Sequence, residues 1–289
     1  MPLMEAELMD GKLKGSYRPS SPSPPRIAPL PPNRNAIHYI HSTPATMAAN
    51  VYFTLDLPTV LSIVVSLSLM PAAMLLSRSL IPANKTRDRL LFFWHAYDAL
   101  THLLIEGSFA YHCFFSYTTV VNPSDQGPHW FNDPTRLYGP NYGTGPTARL
   151  WQEYAKADRR WGGTDTGVVS LELLTVLIGG PTAVYICYLL YRSNAKLNSH
   201  SRGSVKATLW FFSIALATAE LYGGFMTFAP EWLTGSTALV TEDPVYLWLY
   251  LVFFNTLWVF IPLWVLWEAS KELRGAFVGA ETQAALKRQ

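Results

Sequence analysis

The sequence predicts an all-α fold, a polytopic membrane protein whose five transmembrane helices form a bundle. Three observations carry this. The apolar residues, 49% of the chain, gather in long runs instead of spreading evenly. Short charged connectors separate the runs. One run, Leu91 to Phe115, places four ionisable residues on a single face: at 100° per residue His95, Asp98, His102 and Glu106 fall within an arc of roughly 80°. Each charge at membrane depth costs about 2.5 to 3.5 kcal/mol even on lenient scales, so a helix carrying this stripe must turn it away from lipid.

Residues 1–50 are rich in Pro, Ser and Asn and read as a disordered tail. Its Ser23-Pro24-Pro25 and Leu30-Pro31-Pro32 segments fit an extended linker. There is no apolar core with a small-residue cleavage site, so the first span does the targeting. That span, Pro58 to Leu76, is uncharged, and Pro71 kinks it without ending it. After the basic connector Arg78 to Arg89 comes the striped span. Ser116 to Thr147 is studded with Pro, Gly, Asn and Asp and reads as a long irregular insertion.

From Ala148 to Trp161 the apolar residues Leu150, Trp151, Tyr154 and Trp161 recur at near-helical spacing, which predicts an amphipathic helix lying at the interface. The third span, Gly167 to Tyr191, carries one charge, Glu172, with Thr175 one turn later on its face. Gly179-Gly180-Pro181 allows close packing or a kink. The fourth span, Ala207 to Phe228, carries Glu220. The fifth, Val245 to Trp267, places Trp248, Asn255 and Trp258 on one face, with a kink expected at Pro262. The membrane domain is thus 58–273, and 274–289 form a C-terminal tail.

Five spans put the chain ends on opposite sides. The connectors Arg78 to Arg89 and Arg192 to Lys206 then share a face with the basic C-terminus, and the positive-inside rule makes that face cytoplasmic. The N-terminus, the insertion 116–147 and the acidic loop Glu231 to Asp243 become lumenal, and Asn84 in the sequon Asn84-Lys85-Thr86 stays unglycosylated. Net charge is only +2, with its cations in short loops, so a nucleic-acid surface is excluded. Cys113 and Cys187 lie near opposite faces and read as packing residues, too far apart for a disulfide.

The inward polar groups are therefore His95, Asp98, His102, Glu106, Glu172, Thr175, Glu220 and Asn255, in surroundings rich in aromatic rings. Buried carboxylic acids beside a histidine suit proton donation and removal, and aromatic faces favour a cation in a dry pocket. Acid-base chemistry on a lipid, a proton-coupled transporter and an amine-binding pocket would all use these parts. His102 and Glu106 stand at i and i+4 as a metal pair would, but no third close ligand is evident, so no metal is expected.

His102-Leu103-Leu104-Ile105-Glu106-Gly107, the run Leu150 to Arg160, Glu172-Leu173-Leu174-Thr175 and the run Tyr250 to Trp258 resemble the emopamil-binding protein family, the sterol Δ8-Δ7 isomerases of the EXPERA superfamily. The likeness runs in order from roughly Val60 to Leu273 and leaves out the N-terminal tail and the insertion. It implies a five-helix endoplasmic reticulum protein with a lipid-accessible pocket, without nucleotide, metal or other cofactor. The implied reaction protonates C9 of a Δ8-sterol, passes through a C8 carbocation and removes a proton from C7. Cationic amphiphilic amines are the implied inhibitors.

On the same resemblance the catalytic residues match as His102, Glu106 and Glu172. Thr175, Asn255, Trp258, Tyr154, Asp158 and Arg160 match as substrate-binding residues. Glu172 and the His102/Glu106 pair would be proton donor and acceptor, in an open order. Trp258 would face the cation, Asn255 and Thr175 would orient the carboxyl groups, and Tyr154, Asp158 and Arg160 would shape the lumenal cover.

Three positions depart from the family. Ser108 stands where a large aromatic is usual, Trp161 where Tyr is expected and Gly224 where an acid is familiar. His95 and Asp98 lie outside the motif and read as packing or interhelical hydrogen-bonding residues. The second reading is a sterol- or amphiphile-binding relative without catalysis, which has no need of His102, Glu106 and Glu172 together. A transporter ranks third, since no internal repeat is present. Gly179 and Gly180 suit packing within one chain or between two, so a homodimer stays open.

Overall fold

The computed structural model describes residues 53–121, 123 and 129–288. The expected tail 1–50 lies outside the described residues. Helix α1 (Leu57–Leu80) starts where the Asp56 side chain accepts from Thr59 N at 2.9 Å, and it runs through Pro71 unbroken. Helix α2 (Thr86–Leu100), a π-helical segment (Thr101–Glu106) and α3 (Gly107–Phe115) follow one another without a break. After the interfacial helix α4 (Pro146–Tyr154), α5 (Thr166–Leu174) continues through a second π segment (Thr175–Gly179) into α6 (Gly180–Ser193). Helix α7 (Ser199–Thr234) ends at Gly235 in the left-handed region (φ 86°), and a third π segment (Tyr246–Phe253) leads into α8 (Phe254–Leu286).

Four runs are long and apolar enough to cross a membrane: Leu57–Leu80, Thr166–Ser193, Ser199–Thr234 and Tyr246–Leu286. The second expected span, Leu91 to Phe115, lies within one continuous helical run, Thr86–Phe115, in the same bundle, but is not among these four. The bundle explains how such a helix is tolerated. Helix α2 packs between α1 and α6, and α7 between α6 and α8. His95 and Asp98 are fully buried and His102 is 3% exposed. Leu61, Val64, Leu75, Leu177 and Phe260 face outward, the surface a lipid solvent would cover.

At the basic end the helices are tied by polar bonds. Ser77 Oγ donates to Arg89 O at 2.6 Å, Asn194 Nδ2 to Asp88 Oδ2 at 3.0 Å, and Arg87 Nη1 to Glu272 Oε1 at 2.5 Å. Both cysteines are unpaired and belong to different parts of the core, Cys113 beside Phe109 and Trp161, Cys187 against the α2–α6 cluster.

Three sequence expectations change. The insertion is not wholly irregular: strands β1 (Tyr117–Thr119) and β2 (Arg136–Tyr138) pair antiparallel. The Tyr117 and Tyr138 rings lie 5.3 Å apart, and Arg136 sits 4.4 Å above the Tyr117 ring. The insertion's end is docked as well, because His112 bridges Ser116 Oγ (2.7 Å) and Thr147 Oγ1 (2.9 Å) and Gln152 Nε2 donates to Pro140 O and Gly143 O. The interfacial helix stops at Tyr154, since Asp158 folds back to cap a 3-10 turn at Arg159–Gly162. Trp248 does not share a face with Asn255 and Trp258. It is 64% exposed, because the π segment widens the turn and breaks the α-helical count between them.

Candidate functional site

The three π segments occur where the site residues are. His102 and Glu106 lie in the first, Thr175 opens the second just after Glu172, and Asn255 follows the third. The second has a local cause: Pro181 has no N–H to give and its ring crowds the carbonyl four residues back, so the helix widens before it. A wide turn also frees carbonyls. Asn255 Nδ2 uses two of them, Tyr250 O at 3.0 Å and Leu251 O at 2.9 Å.

A cavity of about 1100 Å³, mostly apolar, opens along the bundle. His102, Glu106, Glu172, Glu220, Tyr154 and Trp258 all line it. Its ionisable groups form a connected line. Trp258 Nε1 donates to Asp98 Oδ1 at 2.8 Å, and His102 Nε2 lies 2.9 Å from the same oxygen without the alignment of a hydrogen bond. On the other side of the ring His102 Nδ1 meets Glu106 Oε2 at 2.5 Å. The Glu172 carboxyl group is a neighbour of Glu106 on the same cavity wall. Thr175 Oγ1 donates to Glu172 O at 3.0 Å and lies 3.5 Å from its Oε2.

The structure thus brings His102, Glu106, Glu172, Thr175 and Trp258 together around one space. Asn255 takes a different part from the expected one. It donates to Tyr154 OH at 3.0 Å rather than to a carboxyl group, because the freed π-segment carbonyls hold its amide beside α4. The Tyr154 phenol, outside the spans, is pushed above its ordinary value by burial.

Asp158 and Arg160 do not line the cavity. The Asp158 carboxylate accepts from Arg160 N (3.1 Å), Nε (2.9 Å) and Nη2 (2.6 Å) and from Trp161 Nε1 (3.2 Å), while Arg160 Nη1 reaches Thr227 O on α7 at 2.7 Å. They clamp the cover to α7. Trp161, a departure from the family pattern, lines the cavity and stacks on Trp151 at 4.9 Å. Ser108, another departure, acts through Trp151, whose Nε1 donates to Ser108 Oγ at 2.9 Å.

Two residues gain a place that their positions in the sequence did not reveal. Asp98 joins the site through His102 and Trp258. Glu220, from α7, brings a carboxyl oxygen to within 4.8 Å of Asp98. A ligand atom each from Asp98, His102 and Glu220 lies within 4.8 Å of the others, so the third close ligand absent from the sequence pattern is present in space.

Gly180 keeps the site compact. A Cβ there would come 2.8 Å from Leu103 Cδ2, 2.9 Å from Leu103 Cγ and 3.3 Å from His102 Cβ. The half-exposed Leu103 tip can swing aside, but His102 cannot. Gly180→Val is expected to destabilise the bundle by about 1 to 3 kcal/mol and to displace His102. Unchanged thermal unfolding and unchanged ligand affinity together would contradict this.

Residues 146–269 match the family model described as EXPERA, the expanded EBP superfamily. A rice protein named probable 3-beta-hydroxysteroid-Delta(8),Delta(7)-isomerase is 28% identical over 218 residues, covering 75% of this chain and 83% of that protein. The guinea-pig protein named 3-beta-hydroxysteroid-Delta(8),Delta(7)-isomerase is 25% identical over 210 residues, covering 73% and 76%. A Melia azedarach protein named isomeliandiol synthase is 26% identical over 183 residues, covering 63% and 68%. With the motifs around His102, Tyr154, Glu172 and Asn255, these matches lead to one conclusion: residues 146–269 match the EXPERA domain model, and the chain is similar to the emopamil-binding protein family.

Proposed function

We propose that the protein is a sterol Δ8-Δ7 isomerase of the endoplasmic reticulum membrane, with Thr86–Phe115 as its second span. The supporting observation is the line Glu172–Glu106–His102 along the wall of an apolar cavity of about 1100 Å³, a volume suited to a sterol-sized ligand. One end of the line gives a proton to C9, forming the C9–H bond as the C8=C9 pair of electrons is drawn off and leaving a cation at C8. The other end takes a proton from C7, and the C7–H electrons become the new C7=C8 bond. No net proton is consumed, and transfer between the neighbouring Glu106 and Glu172 returns it to the starting group. Thr175 holds Glu172, and Trp258, 6.4 Å from the His102 ring, turns an aromatic surface to the cation.

The basic connectors and the C-terminus face the cytoplasm in this reading, and the insertion and N-terminus face the lumen. A glycan on Asn84 would overturn that orientation. Cationic amphiphilic amines, which carry positive charge where the carbocation would form, inhibit.

The chemistry is tested by feeding a Δ8-sterol to membranes containing the protein in deuterated water. Δ7 product with one new deuterium at C9 is the expected result. No conversion, in membranes that still bind a cationic amine, would instead support a binding protein of the same superfamily.

A further inference from the structure

The mechanism above leaves two buried acids beside His102, Asp98 and Glu220, unused. Asp98 is fully buried, His102 is 3% exposed and Glu220 8%. Four of their polar atoms, His102 Nε2, Asp98 Oδ2 and both carboxyl oxygens of Glu220, have no hydrogen-bond partner among the described residues. Buried polar atoms are seldom left so, and here three side chains bring one ligand atom each to within 4.8 Å of the others. Glu220 and Asp98 face each other as two acceptors, and His102 Nε2 points at Asp98 without forming a linear bond.

We propose that Asp98, His102 and Glu220 bind a divalent metal ion of the zinc class. The three ligand atoms lie within 4.8 Å of one another. Ligand atoms on one tetrahedral zinc are roughly 3.3 Å apart, so small side-chain rotations close the set. One imidazole nitrogen with two carboxylates suits a first-row divalent ion better than calcium or magnesium, which take oxygen ligands. Two carboxylates and a divalent cation leave no net charge in the bundle, where an unpaired charge is costly.

The surroundings of the three ligands carry the argument further. A metal-bound histidine donates its other ring N–H to a carboxylate, and His102 Nδ1 meets Glu106 Oε2 at 2.5 Å. A ligating carboxylate is itself held by a hydrogen bond, and Trp258 Nε1 donates to Asp98 Oδ1 at 2.8 Å. His102 and Glu220 both line the cavity, so the fourth coordination position opens to it, within reach of water or a ligand hydroxyl. The site shares His102 with the isomerase reading but does not depend on it. Where that reading also holds, metal on Nε2 removes His102 from proton exchange, and zinc inhibits turnover.

The test is zinc stoichiometry in the full-length protein, purified in detergent, stripped with a chelator and dialysed against Zn²⁺ alone. Wild type is expected to retain one zinc per chain. Glu220→Gln and Asp98→Asn, with helical circular dichroism unchanged, are expected to lose at least tenfold in affinity. His200→Ala, at an exposed position, is expected to behave as wild type. Absence of zinc from the wild type would overturn the proposal and leave Asp98 and Glu220 sharing a proton. Equal zinc in wild type and both carboxylate variants would overturn it too, as adventitious surface binding. Because bound metal is read without turnover, failure here is distinguishable from failure of the isomerase reading.

Discussion

Glu172→Gln is expected to lower Δ8-to-Δ7 conversion by roughly 10²- to 10⁴-fold, the range a positioned acid or base contributes. Glutamine matches glutamate in size and still accepts from Thr175, whose Oγ1 is 3.5 Å from Glu172 Oε2. Its NH₂ can donate where a protonated carboxyl group would, toward the neighbouring Glu106. The packing around Glu172, 6% exposed on α5, therefore survives. What the amide cannot do is give up or take a proton. The expected signature is a collapse of turnover with unchanged affinity for a cationic amine, measured on the same membranes. Retained turnover would exclude Glu172 as donor or acceptor. Lost turnover together with lost amine binding would point to a disturbed pocket rather than to the missing proton.

Asp158→Ala is expected to destabilise the protein by about 3 to 5 kcal/mol, because it strands a buried cation. Asp158 is fully buried and takes three hydrogen bonds from Arg160 and one from Trp161. Without it Arg160, 10% exposed, keeps only Thr227 O at 2.7 Å and Glu231 at 3.8 Å. In a chain of this size the loss corresponds to a thermal midpoint roughly 6 to 20 °C lower. Asp158→Asn, which retains one acceptor oxygen, is expected to fall between. Trp161 lines the cavity and is anchored by the same carboxylate, so sterol affinity is expected to weaken in step. An unchanged thermal midpoint in Asp158→Ala would mean that this clamp does not hold the cover.

Much of the fold was legible because the membrane is an undemanding solvent to read. A run such as Leu57–Leu80 is apolar all round, and length and composition alone identify it. The stripe of Thr86–Phe115 was legible for the opposite reason: four ionisable groups on one arc have one place to go, and His95, Asp98 and His102 are indeed buried. The π segments were not legible. A widened turn changes which residues share a face by a fraction of a turn, and that choice belongs to packing and to the carbonyls a neighbour can satisfy. Trp248 was misplaced for this reason, and Asn255 was assigned to a carboxyl group when the widened turn gives it to Tyr154.

The docked insertion was hidden because its contacts are long-range and specific. Gly139 has φ 132°, and a Cβ there would lie 2.6 Å from Gly163 Cα, a fit that exists only once both loops are in place.

By itself the sequence determined the helical class, the order of the apolar runs, the inward direction of the charged stripe and the family likeness. These follow from local periodicity and from the cost of charge in lipid, which act on each segment alone. Only the tertiary structure decided which charged groups meet. Asp98 and Glu220 are 122 residues apart, and along the chain one reads as part of a stripe and the other as the lone acid of its span. It takes the packing of α2 beside α6, and of α6 beside α7, to bring the two against His102, because pairing between helices depends on their rotation and depth, which no one helix encodes.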